Sequence, residues 1–267
     1  MIKENRYYDK KNNRLVYINN KATNEYWDEH WENDNFEKLV RIKSNKFIET
    51  NTNKYLKKGD KILEGGCGRG QNVYLLQHIG YECIGLDYAK NTVELINKKI
   101  PEIDVRLGDV RNLKFEDNSF DGYWSLGVIE HFYNGYDDIA NEMYRVLKLG
   151  GVLFMTVPTM SNMRFLKAKL NLYPNWNEDK KKLDCFYQFA LDPKKIVSTF
   201  EEIGFEVLEI KPYDGFKGLK DEMGLLKPLL QKIYESDNLL LRVIRKSIDI
   251  IVKPFSSHMT LFILRKK

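Results

Sequence analysis

Between a short apolar strand and an amphipathic helix the chain carries Glu64-Gly65-Gly66-Cys67-Gly68-Arg69-Gly70. A strand of Lys61-Ile62-Leu63-Glu64 runs into the cluster, and a helix through Val73, Leu75 and Leu76 leaves it and ends near Gly80. Glycines at 66, 68 and 70 let the backbone turn sharply and let a ligand approach the main chain closely. The helix start behind them offers unpaired N–H groups and positive dipole character. Such a turn belongs at the carboxyl end of a strand in an open α/β sheet, where ligands of that architecture bind.

The rest of the chain continues the alternation. Strands are expected at Cys83-Ile84-Gly85-Leu86, at 103–107, at 120–125, at 152–157, at 205–210 and at 258–264. Helices are expected over 36–57, 90–99, 136–148, from Asp192-Pro193 through Phe200, and across 221–253. Gly150-Gly151 is expected to end the helix over 136–148. The βαβα rhythm predicts a doubly wound, Rossmann-like sheet with helices on both faces.

The glycine spacing separates two ligand classes. A nicotinamide site wants G-x-G-x-x-G. Counted from Gly66 the last place is Gln71, and counted from Gly68 it is Val73, so that pattern fails in both registers. E-x-G-x-G-x-G instead resembles the first motif of the class I S-adenosylmethionine-dependent methyltransferases. Glu130-His131 and Arg145-Val146-Leu147-Lys148-Leu149-Gly150-Gly151 are similar to the type 11 group of that family. The likeness covers roughly residues 58–160; Glu64 stands where Asp is commoner.

The resemblance implies a seven-stranded, mostly parallel sheet whose last strand is antiparallel, and a site for S-adenosylmethionine, released as S-adenosylhomocysteine. It implies cofactor contacts from Glu64, Gly65, Gly66, Cys67, Gly68 and Gly70, from Asp109 and Val110 after the third strand, and from Leu126 and Gly127 after the fourth. Asp87 at the end of the second strand suits a ribose diol, which a carboxylate binds with two hydrogen bonds; a plain helix cap is the simpler role for it. Tyr88 stacks beside the adenine or only packs. Trp27 lies in an N-terminal Tyr-Trp segment of the kind that folds over the cofactor in related enzymes. His131 is the candidate general base, because an imidazole titrates near neutrality.

The acceptor is read mainly from what the sequence lacks. Ser125-Leu126-Gly127-Val128 stands where adenine N-methyltransferases carry an Asn/Asp-Pro-Pro-aromatic element, and no Pro-Cys pair of the cytosine-C5 type occurs. The net charge of +5 is spread along the chain, and no dense basic stripe points to nucleic acid. The expected acceptor is therefore a small molecule or a free or lipid-linked saccharide, methylated at oxygen. Residues 159–192 are expected to form a lid over it, with Tyr173, Trp176 and Tyr187, together with Trp31, as candidate acceptor contacts.

Cys67, Cys83 and Cys185 are too few and too scattered for a disulfide framework or a zinc site, and no metal is expected. The chain reads as residues 1–57, an aromatic segment and helix covering the site, and residues 58–267, a methyltransferase domain with insertions at 159–192 and 214–257. The polar start and the lack of a long apolar run lead to the expectation of a cytoplasmic protein, monomer or homodimer. In the second insertion Leu240, Val243, Ile244, Ile248 and Ile251 share one helical face, with Arg242, Arg245, Lys246 and Lys253 beside it. That face packs on the body, meets a second copy, or makes peripheral contact with an anionic membrane through residues 239–253. A catalytically silent module that binds S-adenosylmethionine or scaffolds a partner is the alternative to an enzyme.

Overall fold

A computed structural model describes residues 5–31 and 35–267; the start of the chain, residues 1–4, lies outside the described residues, as do residues 32–34. The chain opens with a hairpin, β1 (Asn5–Asp9) and β2 (Arg14–Ile18), followed by the helices α1 (Asn24–Trp31), α2 (Phe36–Val40) and α3 (Lys46–Tyr55). The α/β unit then runs β3 (Lys61–Gly65), α4 (Gln71–His78), β4 (Glu82–Asp87), α5 (Lys90–Lys99), β5 (Asp104–Leu107), β6 (Phe120–Leu126), α6 (Asp137–Val146) and β7 (Leu147–Pro158). The first insertion supplies α7 (Asn162–Lys169), α8 (Lys180–Leu183) and β8 (Phe186–Ala190). The chain closes with α9 (Pro193–Ile203), β9 (Phe205–Tyr213), α10 (Gly215–Glu222), α11 (Lys227–Glu235), α12 (Leu239–Ser256) and β10 (Met259–Lys266).

Seven strands form one sheet in the order β5-β4-β3-β6-β7-β10-β9. Pairing is parallel from β5 to β7, and β10 runs antiparallel between β7 and β9. The expected fold class is therefore met: an α/β, doubly wound, Rossmann-like sheet of seven strands with its last strand antiparallel and helical insertions. The central strands are buried on both faces, which is why Ile62-Leu63 and Val152 to Val157 are continuous apolar runs rather than alternating ones. Trp124 of β6 lies fully buried and stacks on Phe154 of β7 at 4.5 Å between centroids.

Three expectations are corrected. The helix over 36–57 is two helices, because Asn45 caps a new start: its side chain accepts from Phe47 N and Ile48 N, and Glu49 accepts from Asn45 N at 2.7 Å. Gly150-Gly151 does not end a helix. The helix stops at Val146, and Gly150 takes φ +78° inside a bulge where β7 slips against β6 between Phe120 and Gly122. The N-terminal segment and the first insertion also hold strands that the aromatic composition did not announce. β1, β2 and β8 form a separate antiparallel three-stranded sheet, with Leu15 opposite Ala190 and Val16 opposite Phe189.

A buried ionic cluster joins the insertions to the hairpin. The Glu222 carboxylate at the end of α10 accepts from Arg6 (3.0 Å), Arg164 (3.1 Å), Lys167 (2.6 Å) and Tyr173 (2.6 Å). Burial alone would raise the Glu222 carboxyl, but Arg164 and Arg6 outweigh it and hold it down at about 2. Arg164 is itself fully buried and also donates to the carbonyls of Thr159 and His258. Removing one member of such a buried pair strands the other charge. Glu222→Ala should therefore lose roughly 3–5 kcal/mol of stability, read as a lower midpoint in urea unfolding.

Candidate functional site

The carboxyl ends of β3, β4 and β6 meet at one cavity of about 720 Å³. Its walls take Gly66 from the glycine turn, Asp87 and Tyr88 from the end of β4, Gly108, Asp109 and Val110 after β5, and Leu126, Gly127 and His131 after β6.

The glycine turn is shaped by its neighbours as well as by its backbone. Gly66, Gly68 and Gly70 hold φ of +74°, +52° and +75°, in the left-handed region. A Cβ on Gly66 would lie 2.6 Å from Val128 Cγ2, and one on Gly68 would lie 2.8 Å from the indole of Trp31. Gly65 is extended instead, and a Cβ there would strike the Tyr123 hydroxyl at 2.0 Å. The Cys67 thiol points into the core, packed against Gly85 and pushed well up by burial. Gly65, Cys67, Gly68 and Gly70 therefore shape the turn from behind, and only Gly66 of the cluster reaches the cavity wall.

Asp87 ties this turn to the next one. Its Oδ2 accepts from Gly68 N at 2.8 Å, and its Oδ1 accepts from Ala89 N at 2.9 Å. The carboxyl is buried, and desolvation raises its pKa against those two backbone donors. Asp87 thus keeps the local turn contact of a cap residue while it stands on the cavity wall, with lone pairs left over for a diol. Glu64 lies behind the turn, fully buried. Asn72 donates to its Oε1 at 2.8 Å, while Oε2 has no hydrogen-bond partner among the described residues. Burial pushes the Glu64 carboxyl up to about 8. Glu64 does not line the cavity itself; its orphaned oxygen behind the glycine turn suits a cation held at that turn, as the ammonium group of S-adenosylmethionine would be.

Farther along the wall, Asp109 accepts from the Arg111 guanidinium at 2.6 and 3.0 Å, which holds its carboxyl below the usual range. Tyr88 donates to the Ala22 carbonyl at 3.3 Å, and burial pushes its phenol up to about 12.

Helix α1 covers the opening. Trp27 and Trp31 stack at 5.8 Å and 17°, and both face the cavity. The Arg69 guanidinium sits over Trp31 at 5.1 Å. Asp28 fixes the helix from below by accepting from Thr92 N and Thr92 Oγ1, each at 2.8 Å. It caps α5, whose own N-cap residue, Ala89, has no side-chain acceptor to do so.

His131 stands where the cover and the sheet meet. Its Nδ1 donates to the Tyr187 carbonyl at 2.7 Å, because a carbonyl only accepts. Nε2 is then the unprotonated nitrogen. The rings of Trp27 and Tyr187 stand edge-on to the imidazole at 5.1 and 5.0 Å. Desolvation lowers the His131 pKa to about 4.

The candidate acceptor contacts divide. Trp31 lines the cavity, but at the glycine-turn end rather than at the far end. Tyr187 holds His131 through its main chain. Tyr173 and Trp176 do not line the cavity: Tyr173 donates to Glu222, and Trp176 packs edge-on to Tyr7 at 5.7 Å. From the first insertion it is Leu183 and Phe186 that reach the wall, which also takes Phe132, Tyr133, Asn134 and Lys21. Nothing in the sequence marks Lys21 or Phe186 for this place, since long-range folding brings them in. Arg111, two residues beyond Asp109, was within reach of a charge-pair reading.

Residues 63–155 match the model of a family described as a methyltransferase domain. The chain carries a class I, S-adenosylmethionine-dependent methyltransferase domain. An S-adenosylmethionine-dependent methyltransferase of Mycolicibacterium smegmatis is 30% identical over 149 residues, which is 56% of this chain and 53% of that protein. The chain thus spans about half the length of that relative. A demethylmenaquinone methyltransferase of Staphylococcus haemolyticus is 29% identical, covering 60% of this chain and 74% of its own. Among solved structures, a methyltransferase of Methanosarcina mazei shares the methyltransferase domain's fold at a TM-score of 0.55 and 18% identity, over 84% of this chain and 99% of that one.

The low pKa of His131 makes a prediction with a definite sign. The unfolded chain protonates this ring near its ordinary 6.5, whereas the folded domain does so only at about 4. Between those values the unfolded state binds more protons, so this histidine's contribution weakens stability as pH falls from 6.5 toward 4. His131→Gln should remove that part of the acid sensitivity in unfolding curves, and an NMR titration of the wild-type imidazole should show no protonation above pH 5.

Proposed function

We propose that the chain moves a methyl group from S-adenosylmethionine to a hydroxyl of a small, ring-bearing acceptor. The observation that carries this reading is the single cavity in which Asp87 and the glycine turn share a wall with His131 and the aromatic rings of Phe132, Tyr133 and Phe186. Its volume falls within the range of about 300–1,000 Å³ typical of small-molecule sites. Aromatic faces suit the flat ring of a quinol or the apolar face of a sugar, and Asn134 and Lys21 supply polar groups beside them. The demethylmenaquinone methyltransferase relatives lend support to a ring-bearing acceptor.

The cofactor supplies a methyl group on a positively charged sulfur, whose departure as a neutral thioether needs no acid. The work left to this chain is alignment and proton removal. Asp87 would hold the ribose hydroxyls. Glu64, behind the glycine turn, would pair with the cofactor's ammonium group, its proton passing to solvent. Leu126 and Gly127 would support the methionine portion, and Val110 with Tyr88 would pack beside the base. Trp27 and Trp31 would cover the cofactor and exclude water. His131, already committed to donate through Nδ1, would take the acceptor's hydroxyl proton on Nε2. Its pKa, well below the near-neutral value expected of it, keeps that nitrogen unprotonated across the physiological range but makes it a weaker base than a free imidazole, so its catalysis relies on position.

Two variants separate binding from chemistry. Asp87→Ala should weaken S-adenosylhomocysteine binding by at least ~1.5 kcal/mol in calorimetry, through loss of charge-assisted hydrogen bonds. His131→Ala should leave that affinity within about twofold yet slow release of S-adenosylhomocysteine by roughly 10²-fold or more with a hydroxylated ring acceptor. Cofactor binding without turnover on any phenolic, quinol or saccharide acceptor would favour a sensing module instead.

A further inference from the structure

α12 lies on α10 through close backbone contact: a Cβ on Gly215 would sit 2.4 Å from Lys253 Cα, and one on Gly218 would sit 1.6 Å from the Ser256 carbonyl. Asp249 turns toward this seam and accepts from Phe216 N at 2.8 Å. The opposite side of the same helix is apolar and open. Leu239, Leu240, Val243, Ile250, Ile251 and Phe255 are all exposed, Ile251 by 77%. Of the three outcomes left open for this face, packing on the body is therefore not met: the helix has two faces, and the polar one with small neighbours is the one that docks.

The open stripe continues onto its neighbours. Asn162 at the start of α7 donates to the Pro254 carbonyl, so α7 lies alongside, and it adds exposed Leu166 and Leu170. The turn before α11, which packs on α10 and α11, leaves Leu225 wholly exposed. Side chains of this size rarely gather in the open on a soluble surface without an occupant.

Charge identifies the occupant. Residues 162–172 and 224–256 carry nine basic and three acidic residues. Arg164 and Lys167 are taken up by Glu222, which leaves seven basic residues against three acids on the elements that bear the apolar stripe. Of the three acids, Asp249 faces inward, while Glu235 and Asp237 sit at the α11–α12 turn. Arg242 and Lys246 of α12 are exposed and have no acidic partner among the described residues. A second copy would bring an equal positive charge to the same face. Among the described residues no helix is long and apolar enough to cross a bilayer, so an apolar stripe on a basic element would lie in the interface instead.

We propose that α12, with α7 and the turn before α11, docks this chain on the surface of an anionic bilayer. The apolar side chains enter the boundary between headgroups and acyl chains, and Arg242 and Lys246 sit among the anionic headgroups. This docking stands independently of the methyl acceptor proposed above.

The test is flotation of the full chain with vesicles of phosphatidylglycerol and phosphatidylcholine, compared with phosphatidylcholine alone. The expected result is binding to the anionic vesicles, weakened by added salt, and little binding to the neutral ones. Leu240→Glu/Ile251→Glu should abolish binding, and Arg242→Ser/Lys246→Ser should weaken it by roughly tenfold or more, since each surface cation contributes about 1 kcal/mol. Both variants change only exposed positions, and circular dichroism together with retained S-adenosylhomocysteine affinity reports that the fold survives. Wild-type protein that stays unbound with anionic vesicles overturns the proposal, whether it sediments as a monomer or as a dimer that Leu240→Glu/Ile251→Glu dissociates. Equal binding to neutral and anionic vesicles overturns it as well.

Discussion

One carboxylate holds the working end of this fold together. Asp87 leaves the end of β4 and accepts from Gly68 in the turn after β3 and from Ala89 at the start of the helix after β4. Two loops that would otherwise move separately are fixed to one acid. The arrangement requires Gly68, because a side chain there would run into Trp31, and it requires Gly66, because Val128 occupies the space a Cβ would need. The turn, the acid and the indole cover are therefore one packed unit. Burying that acid has a cost, visible in its raised pKa, which two backbone donors offset in part.

Burial acts differently on each ionisable group around the cavity. Glu64 has one hydrogen-bonded oxygen and one orphan, so its charged form is disfavoured until a cation arrives. His131 loses its charge for the same reason, which leaves a neutral imidazole whose tautomer the Tyr187 carbonyl dictates. Asp109 stays ionised because Arg111 grips it. The cavity thus sets acids near the glycine turn and a neutral imidazole after β6.

The elements outside the α/β unit supply what that unit lacks. The three-stranded sheet of β1, β2 and β8 brings the first insertion and the N-terminal segment together, and from that junction Phe186, Leu183 and Lys21 enter the cavity wall. Glu222 locks the same region from the other side by gathering Arg6, Arg164, Lys167 and Tyr173. Tyr173, an aromatic residue in a region expected to form a lid, serves this lock and not the pocket. Composition cannot distinguish the two roles, since a tyrosine's partner depends on which distant acid folds against it.

The parallel sheet, its glycine turn and the acid one strand over were legible in the sequence because they are local. Apolar runs of strand length, helix periods between them and glycines at alternate positions each act over a few residues, and Asp87 follows its strand directly. The break in the helix over 36–57 was local as well: Asn45 and Glu49 form a start signal inside an otherwise continuous period. Tertiary structure decided the rest. Gly150 bends a strand rather than capping a helix because β7 must slip its register to stay paired with β6. Trp31, Phe186 and Lys21 share one cavity only after separate segments have packed, and the open side of α12 was settled when α10 offered two glycines to the other side. Short-range chemistry is written along the chain, while the choice of which face meets which neighbour is made by close packing between residues that the sequence sets far apart.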